Sequence, residues 1–232
     1  MNKAATYWTL GLASVVVGGG IFFAFRDKIS HLANVKLKVR SIPQFQKRLI
    51  HQANLEADKF SGYNELSPQT AAIIQQYWRD GVGYEYELSD IETPSWQNNH
   101  YWSAAFISWI MRAVGAGDEF KYSERHATYV RDAIINAEHE VGSIRAFNAE
   151  DTKPYYGDIV CKRRASSDAT YNDVSANDTL HCDIVTEFSS DYITVVGGNV
   201  NNKVDRSEIA IDSDGYIKDE DYFVIIKADI QD

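Results

Sequence analysis

Ser103, His126, His181, Asp183 and Asn199 have the types and contexts that proton transfer or nucleophilic attack requires. Ser103 lies in YWSAAFISWIMRAVGAG, at or just before the first turn of a helix whose Phe106, Ile107, Ile110, Met111 and Val114 recur at helical spacing. A hydroxyl there is surrounded by backbone N–H groups without intrahelical acceptors, which can also stabilise an oxyanion. A serine nucleophile needs a neighbouring base, and that base needs an orienting partner. His181 opens HCDIV, where strand alternation puts Asp183 on its own face and Cys182 on the other. Asn199, in VVGGNV at the end of the next strand, is the amide that can serve as the third member. His126 shares one face of a helix beginning at Ser123 with Tyr129, Val130, Ala133 and Ile134.

Each residue also fits a structural role. Ser103 can be a plain N-cap, His181 a hydrogen-bonded structural histidine, and His126 a core histidine bonded to a backbone carbonyl. A hydrolytic metal site from His126, His181 and Asp183 with a water is a further option; the expectation is no cofactor, with zinc left open. Cys161 and Cys182 fall on neighbouring strands, as buried small hydrophobes or as a cross-strand disulfide in an oxidising compartment. The chain has no H-E-x-x-H and no G-x-x-x-x-G-K-[ST], and Gly81-Val82-Gly83 lacks the spacing of a dinucleotide fingerprint. Asp158 in YYGDIV and the run Asp212-Ser213-Asp214-Gly215 read as turns.

The elements that must position these residues follow from periodicity. Ser67 as N-cap and Pro68 at the first helical position start a helix that stops at Gly81, and helices over 102–117 and from Ser123 follow. Beyond Pro154 the period changes to two, and GDIVCKR, HCDIVTEF, YITVVGG, VDRSEIAI and DYFVIIKA read as strands. Helices first and strands second predict an α+β fold, an antiparallel sheet covered by the earlier helices.

Of the 232 residues, those numbered 5–25 carry no formal charge, a run that spans roughly 31 Å as a helix, about a bilayer's hydrocarbon thickness. Tyr7 and Trp8 suit an interface, and Arg26-Asp27-Lys28 ends the run. The expected organisation is a transmembrane anchor over 1–28, a juxtamembrane stalk over 29–65 and a folded domain over 66–232. Residues 1–60 hold 9 Lys+Arg against 3 Asp+Glu, and the rest of the chain 14 against 30. An acidic domain repels phosphate backbones, so nucleic acid is not an expected partner. The basic residues after the run, Arg26, Lys28, Lys36, Lys38 and Arg40, favour a cytoplasmic domain by the positive-inside rule.

The runs YWSAAFISWIMRAVGAG, FKYSERHATYV, YGDIVCKRR, HCDIV and VVGGNV, in this order, resemble the bacterial family catalogued as domain of unknown function 2272. That family in turn is similar to the papain-like cell-wall hydrolases of the NlpC and CHAP types. These carry a nucleophile at the start of a core helix, a G-D-[IV]-V strand, a strand beginning with the catalytic histidine, and a polar residue on the following strand. The resemblance implies a papain-like domain with Ser103 as nucleophile, His181 as base, and Asn199 or Asp183 as third member. Its implied function is hydrolysis of peptidoglycan peptide or amide bonds, with bacterial cell-wall peptide as partner and the domain periplasmic at the inner membrane. Serine stands where those enzymes have cysteine, and a hydroxyl depends wholly on its base, so His126 enters as an alternative base. The other implied possibility is an inert module that binds wall peptide or a protein partner, with Trp96, Tyr101 and Trp102 lining the old cleft.

Overall fold

The computed structural model describes residues 42–164 and 167–231. Helix α1 (Gln44–Lys59) buries Phe45, Leu49, Ala53 and Ala57, which recur every fourth residue and so form one stripe. Its Glu56 is fully buried too, accepting hydrogen bonds from Tyr77 Oη (2.6 Å), Gln52 Nε2 (2.8 Å) and Lys59 Nζ (2.7 Å). Over 42–65 the expected stalk (29–65) is therefore corrected, because these residues belong to the compact unit that starts at Ile42 and bury Glu56 among its partners; residues 29–41 lie outside the described residues. The expected anchor over 1–28 lies outside the described residues. Among the described residues no helix is long and apolar enough to cross a membrane.

Helix α2 (Pro68–Gln76) starts as expected, with Ser67 as N-cap and Pro68 first. It does not stop at Gly81 but runs on as a π-helical turn (Tyr77–Val82) ended by Gly83 in the left-handed region, φ 84°. Gly81 is required there for another reason: a Cβ would lie 2.7 Å from the carbonyl oxygen of Ala105. Two short helices, α3 (Leu88–Ile91) and α4 (Pro94–Gln97), lead to the central helix α5 (Ser103–Ala113). All residues from Ser103 to Met111 are buried, so α5 is enclosed by protein over all but its last two residues. Helix α6 (His126–Glu138) begins later than expected, because Ser123 is not its N-cap. The Ser123 hydroxyl instead accepts from the Arg125 N–H (3.0 Å) in the approach to the helix.

The strands are β1 (Ile144–Asn148), β2 (Ile159–Arg163), β3 (Leu180–Phe188), β4 (Tyr192–Val200), β5 (Lys203–Ala210) and β6 (Tyr222–Ala228). They pair antiparallel in the order β1-β6-β2-β3-β4-β5. The α+β expectation holds; β1, before Pro154, is an addition. Cys161, Cys182, Ile184, Val196 and Val224 pack into the core with the helices, while Val160, Val185, Val195 and Ile225 form a second cluster. That division follows from alternation along each strand. At Gly198 a Cβ would come within 2.6 Å of Phe106 Cβ, so bare backbone at this point lets α5 seat against β4.

Candidate functional site

Ser103 is the first residue of α5, and its position is fixed from behind. Trp102, fully buried, donates its indole N–H to Glu65 Oε2 (3.0 Å) and stacks on Phe60 at 5.7 Å between ring centroids. The first backbone bond of the helix runs from Phe106 N–H to the Trp102 carbonyl (2.9 Å), leaving the amides of Ser103, Ala104 and Ala105 ahead of the intrahelical ladder. Further along α5, the buried Ser108 hydroxyl donates to the Ser123 carbonyl (2.8 Å) and accepts from the Ser123 N–H (3.1 Å). This reciprocal pair ties α5 to the chain just before α6, and so sets where His126 lies.

His126 is the first residue of α6, with its Nε2 2.6 Å from Ser103 Oγ. Its Nδ1 is hydrogen-bonded to Tyr129 Oη, one helical turn on. When Nδ1–H donates to Tyr129, Nε2 is free to accept the Ser103 proton. Burial, then the neighbouring His181 and Arg164, hold His126 well below the usual imidazole range, so it is neutral near pH 7. Burial and, secondarily, Asp183 push the Tyr129 phenol well above its usual value. The arrangement is a hydroxyl, a neutral base and a neutral phenol in series.

A second chain lies beside it. His181 Nε2 is 2.9 Å from Asp183 Oδ1, and Tyr222 Oη reaches Asp183 Oδ2 at 3.5 Å. Burial is also the main cause raising the Tyr222 phenol, followed by Asp183. The two imidazoles are 5.5 Å apart between ring centroids. Gly197 makes room for this chain, since a Cβ there would fall 1.9 Å from Asp183 Oδ1. His181 Nδ1 is buried and has no hydrogen-bond partner among the described residues.

Of the residues singled out in the sequence, Ser103 and His126 are joined directly, and His181 and Asp183 are joined to each other beside them. Asn199 is not brought to either pair. It takes a positive φ of 55° where the β4–β5 register shifts, and Asn201 and Asn202 close that hairpin at φ 51° and 62°. Tyr129 and Tyr222 were not anticipated as partners, although the His126–Tyr129 spacing of one helical turn is legible in the sequence. Among the described residues no group of three or more His, Cys, Asp or Glu side chains is placed to hold a metal ion. His126, His181 and Asp183 instead spend their facing atoms on Ser103 and on each other.

A cleft of about 970 Å³ opens over Ser103 and His126. Trp78, Tyr84, Tyr86, His100 and Tyr101 line it from the segment before α5, and Lys162, Arg164 and Leu180 from the ends of β2 and β3. Tyr101 is exposed, whereas Trp102 faces the core and Trp96 stacks behind His100 at 4.3 Å. Of the aromatic residues expected to line a cleft, only Tyr101 does so. Cys161 and Cys182, paired in register on β2 and β3, form a disulfide with Cα atoms 4.1 Å apart.

A family model described as uncharacterized protein conserved in bacteria (DUF2272) matches residues 72–228. The chain belongs to this family. No curated protein and no solved structure matches it. The DUF2272 match takes in both hydrogen-bonded chains and the disulfide, while α1, which the fold needs, lies before its start.

Proposed function

We propose that this domain is a serine hydrolase of cell-wall peptide or amide bonds, papain-like in plan, in which Ser103 attacks and His126, rather than His181, takes its proton. The observation that carries this reading is the 2.6 Å contact between Ser103 Oγ and His126 Nε2 at the floor of the cleft. As Oγ bonds to the carbonyl carbon, its proton passes to Nε2 and the carbonyl electron pair becomes an oxyanion beside the first-turn amides of α5. Collapse expels the amine, which leaves with the proton from His126, and water then releases the acyl group by the same route in reverse. A nucleophile at the start of a buried helix, packed on an antiparallel sheet with a histidine opening one strand, supports the papain-like plan.

The Cys161–Cys182 bond favours the oxidising side of a membrane. It weighs for a periplasmic domain held by an anchor over 1–28, against the basic flank that favours the cytoplasm. Purified wall incubated with the full-length protein is expected to release soluble muropeptides. Ser103→Ala should reduce release by at least about 1,000-fold at unchanged Tm, and His126→Ala by as much while still unfolding cooperatively, at a lower Tm because Tyr129 Oη loses its partner. No release by the wild type, or equal release by Ser103→Ala, defeats the proposal. Wall binding without release would leave the inert module as the better description.

A further inference from the structure

The lining of the cleft is uneven in charge. The domain around it is acidic, with 14 Lys+Arg against 30 Asp+Glu over 61–232, yet Lys162 and Arg164 both face the space above Ser103 and His126. Neither is neutralised. Among the described residues no carboxylate lies within ion-pair distance of Arg164 or Lys162, whereas their neighbour Arg163 is turned to Asp221 (3.7 Å). Lys162 instead stands over the Tyr222 ring at 5.1 Å, which leaves its ammonium protons available. Two carboxylates, Glu124 and Asp178, also line the cleft, but Asp178 Oδ2 accepts the Ser175 N–H (2.7 Å) in a turn and Glu124 Oε2 lies 3.5 Å from its neighbour's hydroxyl, Ser123 Oγ. Arg164 is also fixed by its backbone, since its N–H donates to the Thr179 carbonyl (2.9 Å).

A guanidinium carried on an anchored backbone beside the nucleophile, with no carboxylate among the described residues at ion-pair distance, fits an incoming carboxylate. The aromatic segment, with Tyr84, Tyr86 and Tyr101, offers flat apolar surface for the rest of such a ligand. We infer that Arg164 and Lys162 form a carboxylate-binding subsite, so that the peptide cleaved at Ser103 carries a free carboxylate close to its scissile amide. This rests on the hydrolase reading for the cleavage, but the binding itself does not. Arg164 also adds, after burial and His181, to what holds the His126 imidazole below its usual range.

The test separates the two. Full-length Ser103→Ala protein in detergent is titrated calorimetrically with the synthetic wall peptide acetyl-L-Ala-γ-D-Glu-L-Lys-D-Ala. Three further peptides have the C-terminal carboxylate, the D-Glu carboxylate, or both, converted to amides. One of the single amides is expected to bind about tenfold or more weaker than the free peptide, and that identifies which carboxylate is held. In Arg164→Gln and Lys162→Gln, at unchanged Tm, the difference between free peptide and diamide should shrink to about threefold or less. Equal affinity for free peptide and diamide, no binding of any form, or an undiminished difference in Arg164→Gln overturns the subsite. Tight, carboxylate-dependent binding with no cleavage by the wild type keeps the subsite and sinks the hydrolase reading instead.

Discussion

Ser103 and His126, joined at 2.6 Å, are each the first residue of a helix, so two helix N-termini meet at one hydrogen bond. The partial positive charge of both ends disfavours an imidazolium there and favours an oxyanion. The proton relay and the anion site of the proposed reaction would thus have the same structural origin.

The pH dependence of the proposed reaction follows from that environment. His126 is held well below the ordinary value of 6.5, mainly by burial, so the base form persists into mildly acidic solution. The acid limb of kcat/KM should lie below pH 6.5; a limb at or above it would assign the proton to another group. Because the unfolded chain binds this proton more readily, the stability His126 contributes is present above about pH 6.5 and is lost as pH falls toward its folded value. Thermal melts of wild type and His126→Gln across pH 4–8 should show that slope only in the wild type.

Ser108→Ala should act at a distance on His126. It leaves the Ser123 N–H and carbonyl without the partners they have at 3.1 and 2.8 Å, at a cost of about 1–3 kcal/mol. The release assay should show kcat falling with little change in KM, since Ser108 is fully buried and does not line the cleft. A change confined to KM would argue against a positioning role.

Gly197→Ala tests the second chain. The added Cβ overlaps Asp183 Oδ1, which must swing away from His181. Nitrogen-15 shifts of the His181 ring should move while those of His126 stay, with a loss of about 1–3 kcal/mol in stability. Unchanged His181 shifts would mean that the strand, not the carboxylate, gives way.

The disulfide bridges a sequence separation of 21, for which loop entropy suggests a contribution of about 3 kcal/mol. Urea denaturation of the Cys161→Ala/Cys182→Ala double variant should show a loss of that order. Both sulfurs are fully buried, so the native protein should also resist thiol reductants that reduce the unfolded chain.

A chain shortened to begin at residue 66 should not fold. It lacks Phe45, Leu49 and Ala53, all fully buried, and leaves Tyr77 Oη without Glu56. In the full chain Leu49→Ala should cost about 2–5 kcal/mol, read from chemical denaturation. Cooperative unfolding of the shortened chain would restore the stalk assignment.

Where one strong local pattern operates, the sequence was a good guide. Ser67-Pro68 starts α2 where expected, and the period-two runs after Pro154 correspond to β2 through β6. The failures are tertiary. Strand β1 is an edge strand paired only with β6, so its five residues carry little alternation of their own. Helix α1 falls within the expected stalk because the packing of its polar Glu56 is not local: Tyr77, far along the chain, is needed to explain the burial of that carboxylate. Ser103, His126, His181 and Asp183 were all visible as reactive types. Their pairing was not, because it depends on Ser108 and Ser123 docking one helix start against another.

Folding α1 into the domain changes how far the cleft can travel. If residues 1–28 hold the chain in a bilayer, only the residues between 28 and Gln44 remain as a leash, at most about 50 Å when fully extended. A stalk reaching to residue 65 would have allowed more than twice that radius. On that condition the domain of the proposal would be restricted to a thin shell next to the membrane, and substrate outside that shell would have to come to it.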